Sequence, residues 1–292
     1  MRHMRLALLA ALLLACRSTL TTSDSRGFFF IQMSDPQFGF FTPNAGFERE
    51  TANFEKSIAA ANRLRPAFVV ITGDLTHRQG DSAQIAEFRR IAAQLDRAIP
   101  LYVVAGNHDV ALPLSPASLA GYRRLFGPDY FAFESHGVRG IVMNSSLIKE
   151  PTLAPAESEA QTRWLQSTIG AAKTRGQRIL VFQHHPWFLA HADEPDQYYN
   201  LPLATRRGFL DLFEQNGISH VFAGHYHRNA RATDGALEMV TTGPVGKPLG
   251  ADSSGFRIVV VDGRSITHRY YALDSIPLRV ADRPCTSATV SC

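Results

Sequence analysis

The chain has 292 residues, 45% hydrophobic and 19% charged, with three cysteines, a composition that excludes both a disordered chain and a small disulfide scaffold. The formal charge of +4 comes from dispersed arginines with no run of five or more basic residues, so no nucleic-acid partner and no polybasic membrane patch is expected. One large α/β domain fits this length.

Arg2, His3 and Arg5 precede an apolar stretch from Leu6 to Ala15, too short to span a bilayer core of about 30 Å as a helix. It reads as a signal-peptide core. It ends in Leu13-Leu14-Ala15-Cys16, which resembles the bacterial lipobox. The resemblance implies cleavage after Ala15, a lipid anchor on Cys16, and a place in the bacterial cell envelope facing the periplasm or exterior. The expected organisation is a signal peptide over 1–15, a Ser/Thr-rich tether over 16–26, a domain over 27–273 and a tail over 274–292. In that tail Cys285 and Cys292 are either a disulfide or two free thiols; their spacing does not fit a CxxC metal or redox site.

Within the domain, short β-branched and aromatic runs alternate with longer amphipathic stretches, the pattern of an α/β fold. Helices are expected at Glu48–Arg63, Ser82–Asp96, Glu157–Lys173 and Thr205–Asn216. The apolar run Phe28–Met33 leads to Asp35 and Gln37, Phe68–Ile71 to Gly73-Asp74, and Leu101–Val104 to Gly106-Asn107-His108-Asp109. Ile179–Phe182 leads to His184-His185-Pro186, and His220–Phe222 to Gly224-His225-Tyr226-His227. If these runs are neighbouring strands, their polar ends meet at the carboxyl edge, where α/β folds hold ligands. A lone His or Asp after a strand is an ordinary surface or core residue, but five such sets are hard to explain by packing. Gly73, Gly106 and Gly224 permit positive φ and close backbone approach at the strand ends.

The series Asp35-x-Gln37, Gly73-Asp74, Gly106-Asn107-His108-Asp109, His184-x-Pro186 and Gly224-His225-x-His227 resembles the calcineurin-like metallophosphoesterases over nearly the whole domain. Ser34–Gly39, Val181–His184, Gly224–Asn229 and His268–Tyr271 are similar to its subgroup of calcineurin-like phosphoesterase domain-containing, or complete Ser/Thr, phosphatases. The resemblance implies a four-layer α-β-β-α sandwich, two mixed β-sheets flanked by helices, with two divalent cations above the strand ends. It assigns Asp35, Gln37, Asp74 and His227 to the first cation and Asp74, Asn107, His184 and His225 to the second, with Asp74 bridging. Two carboxylates against two divalent ions leave a positive centre suited to phosphate. A hydroxide between the cations would attack phosphorus in line, and His108 would donate a proton to the leaving oxygen or stabilise phosphoryl charge.

The family's first motif ordinarily reads Asp-x-His, and Gln37 replaces that histidine. An amide oxygen is a harder and weaker ligand, favouring Mn or Fe, with Zn or Mg as alternatives. Gly73-Asp74-Leu75-Thr76-His77 also lacks the Gly-Asp-x-x-Asp-Arg-Gly pattern of the large cytosolic Ser/Thr phosphatases. The expected substrates are phosphomonoesters, phosphoproteins among them; the alternatives are phosphodiesters, or a non-catalytic binding module on the same fold. Asp109 either orients His108 or supports the turn, and of His184-His185 only His184 is expected to bind a cation. His77, His136, His191, His220 and His268 read as structural. The segments His191–Leu201 and Thr242–Gly250 either border the pocket or are solvated loops, and Trp187, Phe188 and Tyr226 form either a pocket wall or core. The oligomeric state is left open.

Overall fold

A computed structural model describes residues 27–110, 113–263 and 265–280. The expected signal peptide and tether, with Cys16, and the two tail cysteines lie outside the described residues. Among those residues no helix is long and apolar enough to cross a membrane.

The elements run β1 (Phe28–Met33), α1 (Glu48–Leu64), β2 (Val69–Ile71), α2 (Ser82–Ala92), β3 (Leu101–Val103), α3 (Asn107–Val110), α4 (Pro116–Phe126), β4 (Phe131–Ser135), β5 (Val138–Val142) and α5 (Ser146–Lys149). After a 3₁₀ turn at Pro151–Leu153 come α6 (Pro155–Thr174), β6 (Arg178–Phe182), α7 (Leu203–Gln215), β7 (His220–Ala223), β8 (Ala230–Asp234), β9 (Leu237–Thr241), β10 (Gly255–Val261) and β11 (Ile266–Ala272). One sheet has the order β11-β10-β1-β2-β3 and the other β4-β5-β6-β7-β9-β8. Both are mixed: β1, β2 and β3 are parallel while β10 pairs antiparallel with both β1 and β11, and β5, β6, β7 and β9 are parallel with antiparallel β4 and β8 at the edges.

The alternation of β1 explains the layering. Phe29, Ile31 and Met33 pack with Phe54 and Ile58 of α1 and Phe88 of α2, while Phe30 on the opposite face joins Phe68, Phe182, Phe222 and Val240 between the sheets. A third core sets Ile179, Val181 and Val221 against Leu165 and Ile169 of α6 and Phe213 of α7. The result is helices, sheet, sheet, helices, as the family resemblance implies. Each amphipathic helix carries its apolar residues at helical spacing, as Phe54, Ile58 and Ala61 do in α1. The helix α2 stops at Ala92, short of the expected Asp96, because Gln94 and Leu95 turn to i−3 carbonyls.

Candidate metal centre

The five ligand-bearing strands do not share one sheet. β1, β2 and β3 deliver Asp35, Gln37, Asp74, Asn107 and His108 from one side, and β6 and β7 deliver His184, His225 and His227 from the other. The carboxyl ends of both sheets therefore close on a single cluster.

Backbone conformation marks the same residues. Of the eight non-glycine residues with positive φ among those described, five are Asp35, Gln37, Asp74, His225 and His227. Such conformations cost about 1–3 kcal/mol each and persist where surrounding structure imposes them. Close approach imposes them here: a side chain at Gly106 would collide with Asp74, and one at Gly224 with Ser34 and Asp35. Of the three motif glycines, Gly73 supplies positive φ, whereas Gly106 and Gly224 supply room.

Two ligand sets, Asp74–His184–His225 and Asp35–Asp74–His227, each have donor atoms within 4.8 Å of one another, and Asp74 belongs to both. His184 Nε2 lies 3.3 Å from Asp74 Oδ2, 3.0 Å from Asn107 Oδ1 and 3.1 Å from His225 Nδ1. His227 Nε2 lies 3.4 Å from Asp35 Oδ1. The outer ring nitrogens are committed elsewhere. His184 Nδ1 donates to Thr72 O at 2.8 Å, His227 Nδ1 to Lys247 O at 2.6 Å and His225 Nε2 to Tyr198 O at 3.3 Å. Each carbonyl fixes a tautomer whose other nitrogen turns a lone pair inward.

An inward-facing set of lone pairs and carboxylates in a buried site needs positive charge. Without a cation, burial disfavours the His184 imidazolium, yet the Asp74 carboxylate overrides this and raises His184 to about 9. Burial likewise opposes the Asp74 carboxylate, but the charge of His184 beside it holds the group far below its ordinary range. Burial first, then His184, pulls His225 down to about 3. Gln37 completes the fit: its Nε2 lies 3.4 Å from His77 Nδ1, and its buried Oε1 has no hydrogen-bond partner. This is the donor atom an oxygen-ligated cation would take. The residues present fit two cations.

His108 is half-buried at the cluster's edge. Its backbone N–H donates to Asp74 Oδ1 at 2.9 Å, and its Nδ1 donates to His77 O at 2.8 Å, leaving Nε2 free. The His77 ring stacks on it at 4.9 Å, so His77 borders the centre, which its sequence position alone did not signal. Asp109 takes N–H bonds from Leu75, Thr76 and Gly106, which makes it the support of the turn. His185 turns away to Ser145, with its N–H and Nδ1 at 2.9 and 2.8 Å from Ser145 Oγ.

Both suspected loops reach the centre. Lys247 O holds His227, while Val245 N–H and Gly246 N–H donate to Ser34 O and Asp35 O. Residues 189–201 form a built wall. The fully buried Arg206 donates to Leu201 O, Ala192 O and Glu194 O, and the Glu194 carboxylate takes the N–H groups of Leu189, Ala190 and His191. Lys149 Nζ holds the other side, donating to Gln197 O, Tyr198 O and Asn200 O at 2.8, 3.0 and 2.5 Å. The same Tyr198 carbonyl receives His225, so the wall is fastened to the centre. Beside it lies a cavity of about 100 Å³ lined by Asn107, Ser146, Lys149, Glu150, His185 and Tyr198. Trp187 and Phe188 are core; Tyr226 is half-buried against Tyr199.

Twin buried ligand sets sharing Asp74 on a four-layer sandwich form a candidate two-cation centre, and residues 30–229 match the calcineurin-like phosphoesterase model. The chain belongs to that family and is a hydrolase of phosphoric ester bonds. It is 39% identical over 265 residues to the bovine (Bos taurus) serine/threonine-protein phosphatase CPPED1, a match covering 85% of each chain. The human (Homo sapiens) protein of that name is 39% identical over 266 residues, again 85% of each. A crystal structure of a dimetal phosphatase from Danio rerio superposes with a TM-score of 0.61 at 17% identity, covering 85% of this chain and 97% of that one, which shows the shared fold.

Proposed function

We propose that the chain is a phosphomonoesterase using two cations, with phosphorylated serine or threonine in proteins among its substrates. One observation carries the reading: two buried ligand sets meet at a shared carboxylate, Asp74. The phosphatase names of the relatives support a monoester, and the protein substrate rests on them alone. Asp35, Gln37, Asp74 and His227 would hold the first cation, and Asp74, Asn107, His184 and His225 the second. Bound there, the cations would activate water and neutralise charge gathering on the phosphoryl oxygens. Mn or Fe suits the amide oxygens of Gln37 and Asn107.

The chain's own residues do the rest. His184, His225 and His227 are held by carbonyls with one nitrogen aimed inward, so little reorganisation is needed on loading. As an imidazolium His108 would hand its Nε2 proton to the leaving oxygen while Nδ1–H stays on His77 O, its ring fixed by that bond and by stacking on His77. The cavity beside Tyr198 would receive the alcohol portion of the ester.

The Mn-loaded protein, assayed on matched aryl phosphate mono- and diesters, should turn over the monoester faster; faster diester cleavage would reverse the assignment. For location, the proposed lipid anchor rests on residues 1–16. Cys16→Ser should release the protein from bacterial membranes on fractionation, and continued membrane association would defeat the anchor.

A further inference from the structure

We propose that Arg257, on β10, is a positioning residue for Asp35, acting through a one-way hydrogen-bond chain, Arg257–Thr242–Gln32–Thr72–Ser34–Asp35, that crosses between the two sheets. The proposal rests on the reading of Asp35 as a cation ligand.

All six side chains are buried. Arg257 Nε donates to Thr242 Oγ1 at 2.8 Å, and Thr242 Oγ1 to Gln32 Oε1 at 2.7 Å. Gln32 Nε2 donates to Thr72 Oγ1 at 3.2 Å, Thr72 Oγ1 to Ser34 Oγ at 2.8 Å, and Ser34 Oγ to Asp35 Oδ2 at 2.5 Å.

The direction of every link is forced by groups that can play only one role. Gln32 Nε2 also reaches Ala223 O at 3.0 Å, and a carbonyl only accepts, so this atom is the amide NH₂ and Oε1 must accept from Thr242. Thr242 has then spent its proton, and accepts from Arg257, which can only donate. At the other end Asp35 is an acceptor, so Ser34 spends its proton there and accepts from Thr72, which in turn accepts from Gln32. The alternatives, Thr72 Oγ1 to Met33 O at 3.2 Å and Ser34 Oγ to Thr72 O at 3.5 Å, are longer.

A chain with a cation at its donor end and a carboxylate at its acceptor end is polarised throughout, and each bond strengthens the next in a low-dielectric interior. Arg257 is itself held from behind. Its Nη1 donates to His268 Nδ1 at 2.9 Å, and His268 Nε2 donates to Glu238 Oε1 at 3.0 Å. The geometric consequence falls on Asp35. Ser34 takes its Oδ2, and the His225 N–H is shared between Oδ2 at 3.1 Å and Oδ1 at 3.3 Å, so Oδ1, which also faces His227 Nε2 at 3.4 Å, is the oxygen left for the first cation. A simple stitch between sheets would need only the Gln32–Ala223 bond; the extension to Asp35 links the stitch to the ligand.

The test is equilibrium dialysis of Mn²⁺ against the full chain, analysed for two classes of site. Thr242→Val keeps the shape but removes the hydroxyl that links Arg257 to Gln32, and should weaken one Mn²⁺ about tenfold, in the range seen for outer-sphere partners, leaving the other unchanged. Thr242→Ser, which restores the hydroxyl, should bind as the native protein does, and Ser34→Ala should weaken the same single site. The proposal is overturned if Thr242→Val is folded and binds both ions normally, if Thr242→Ser fails as Thr242→Val does, or if only Ser34→Ala has an effect. Should Thr242→Val not fold, Thr72→Val breaks the chain two links nearer Asp35 and carries the same pair of outcomes. A native protein that binds fewer than two Mn²⁺ would overturn both the proposal and the two-cation reading beneath it.

Discussion

At the scale of single residues, the centre is made of side chains whose uncommitted atoms all point inward. Asn107 Oδ1 faces His184 Nε2 at 3.0 Å, a contact that only a proton or a cation at that nitrogen makes favourable, and Gln37 Oε1 is buried with nothing to accept from. These contacts are costly in a protein with no cation and favourable in one that binds it. His108 stands apart, because its side chain reaches His77 O and none of the ligand side chains. His108→Ala should lower turnover of an aryl phosphate by about 100-fold or more while leaving two Mn²⁺ bound; a fall in bound metal equal to the fall in rate would make it a structural residue. The candidate ligands were legible because Asp, Asn and His recurred after apolar runs. The position of His77 was not: it follows Asp74 by three residues in a loop, and only the fold of that loop stacks it on His108.

At the scale of elements, the wall over residues 189–201 is built from charges that sequence shows only as polar content. Arg206 of α7 is fully buried and serves three carbonyl oxygens of that wall, so the loop is braced from within. Arg206→Met should cost about 3 kcal/mol by leaving those acceptors unpaired. It should also expose the segment to proteolysis and raise KM more than it lowers kcat; a protease pattern like that of the native protein would show that the brace is not needed. Other elements differed in how readily they could be read. β1, β2, β3, β6 and β7 carry dense apolar runs because most face packed layers on both sides. The hairpins β4–β5, β8–β9 and β10–β11 were not resolved from sequence: β8 and β11 lie at sheet edges with exposed residues alternating through them, so their runs are diluted by Arg, Thr and His. The helix α4 escaped for a similar reason, burying Leu119 and Tyr122 behind an otherwise polar face.

At the scale of the whole molecule, two sheets with separate outer cores share one aromatic interior, and their carboxyl ends supply complementary halves of the centre. Sequence showed that the ligands converge, whereas the division of strands between two sheets came from family resemblance, since periodicity carries no information on which strands pair. Convergence makes stability depend on what fills the centre. In the metal-free protein His184 is raised to about 9, so its contribution is complete below the ordinary histidine value near 6.5 and is lost as pH rises through 9. Asp74 is lowered, so its contribution is present above the ordinary carboxylate value and is lost only in acid. Chelator-treated protein should therefore melt at progressively lower temperature between pH 7 and 9. Mn-loaded protein, with the ion in place of the His184 proton, should hold its melting temperature over that interval and exceed the stripped protein in stability by about 2.7 kcal/mol for each site at 100-fold excess of ion over its Kd. Equal melting of the two forms across the range would argue against cation binding at His184.

Anomalous scattering from a crystal soaked in Mn²⁺ locates the cations directly. Two peaks about 3.5–4 Å apart are expected, one beside Asp35, Gln37 and His227, the other beside Asn107, His184 and His225, with the Asp74 carboxylate between them. A single peak, or two peaks that do not share Asp74, would contradict the dimetal centre on which the assigned chemistry depends.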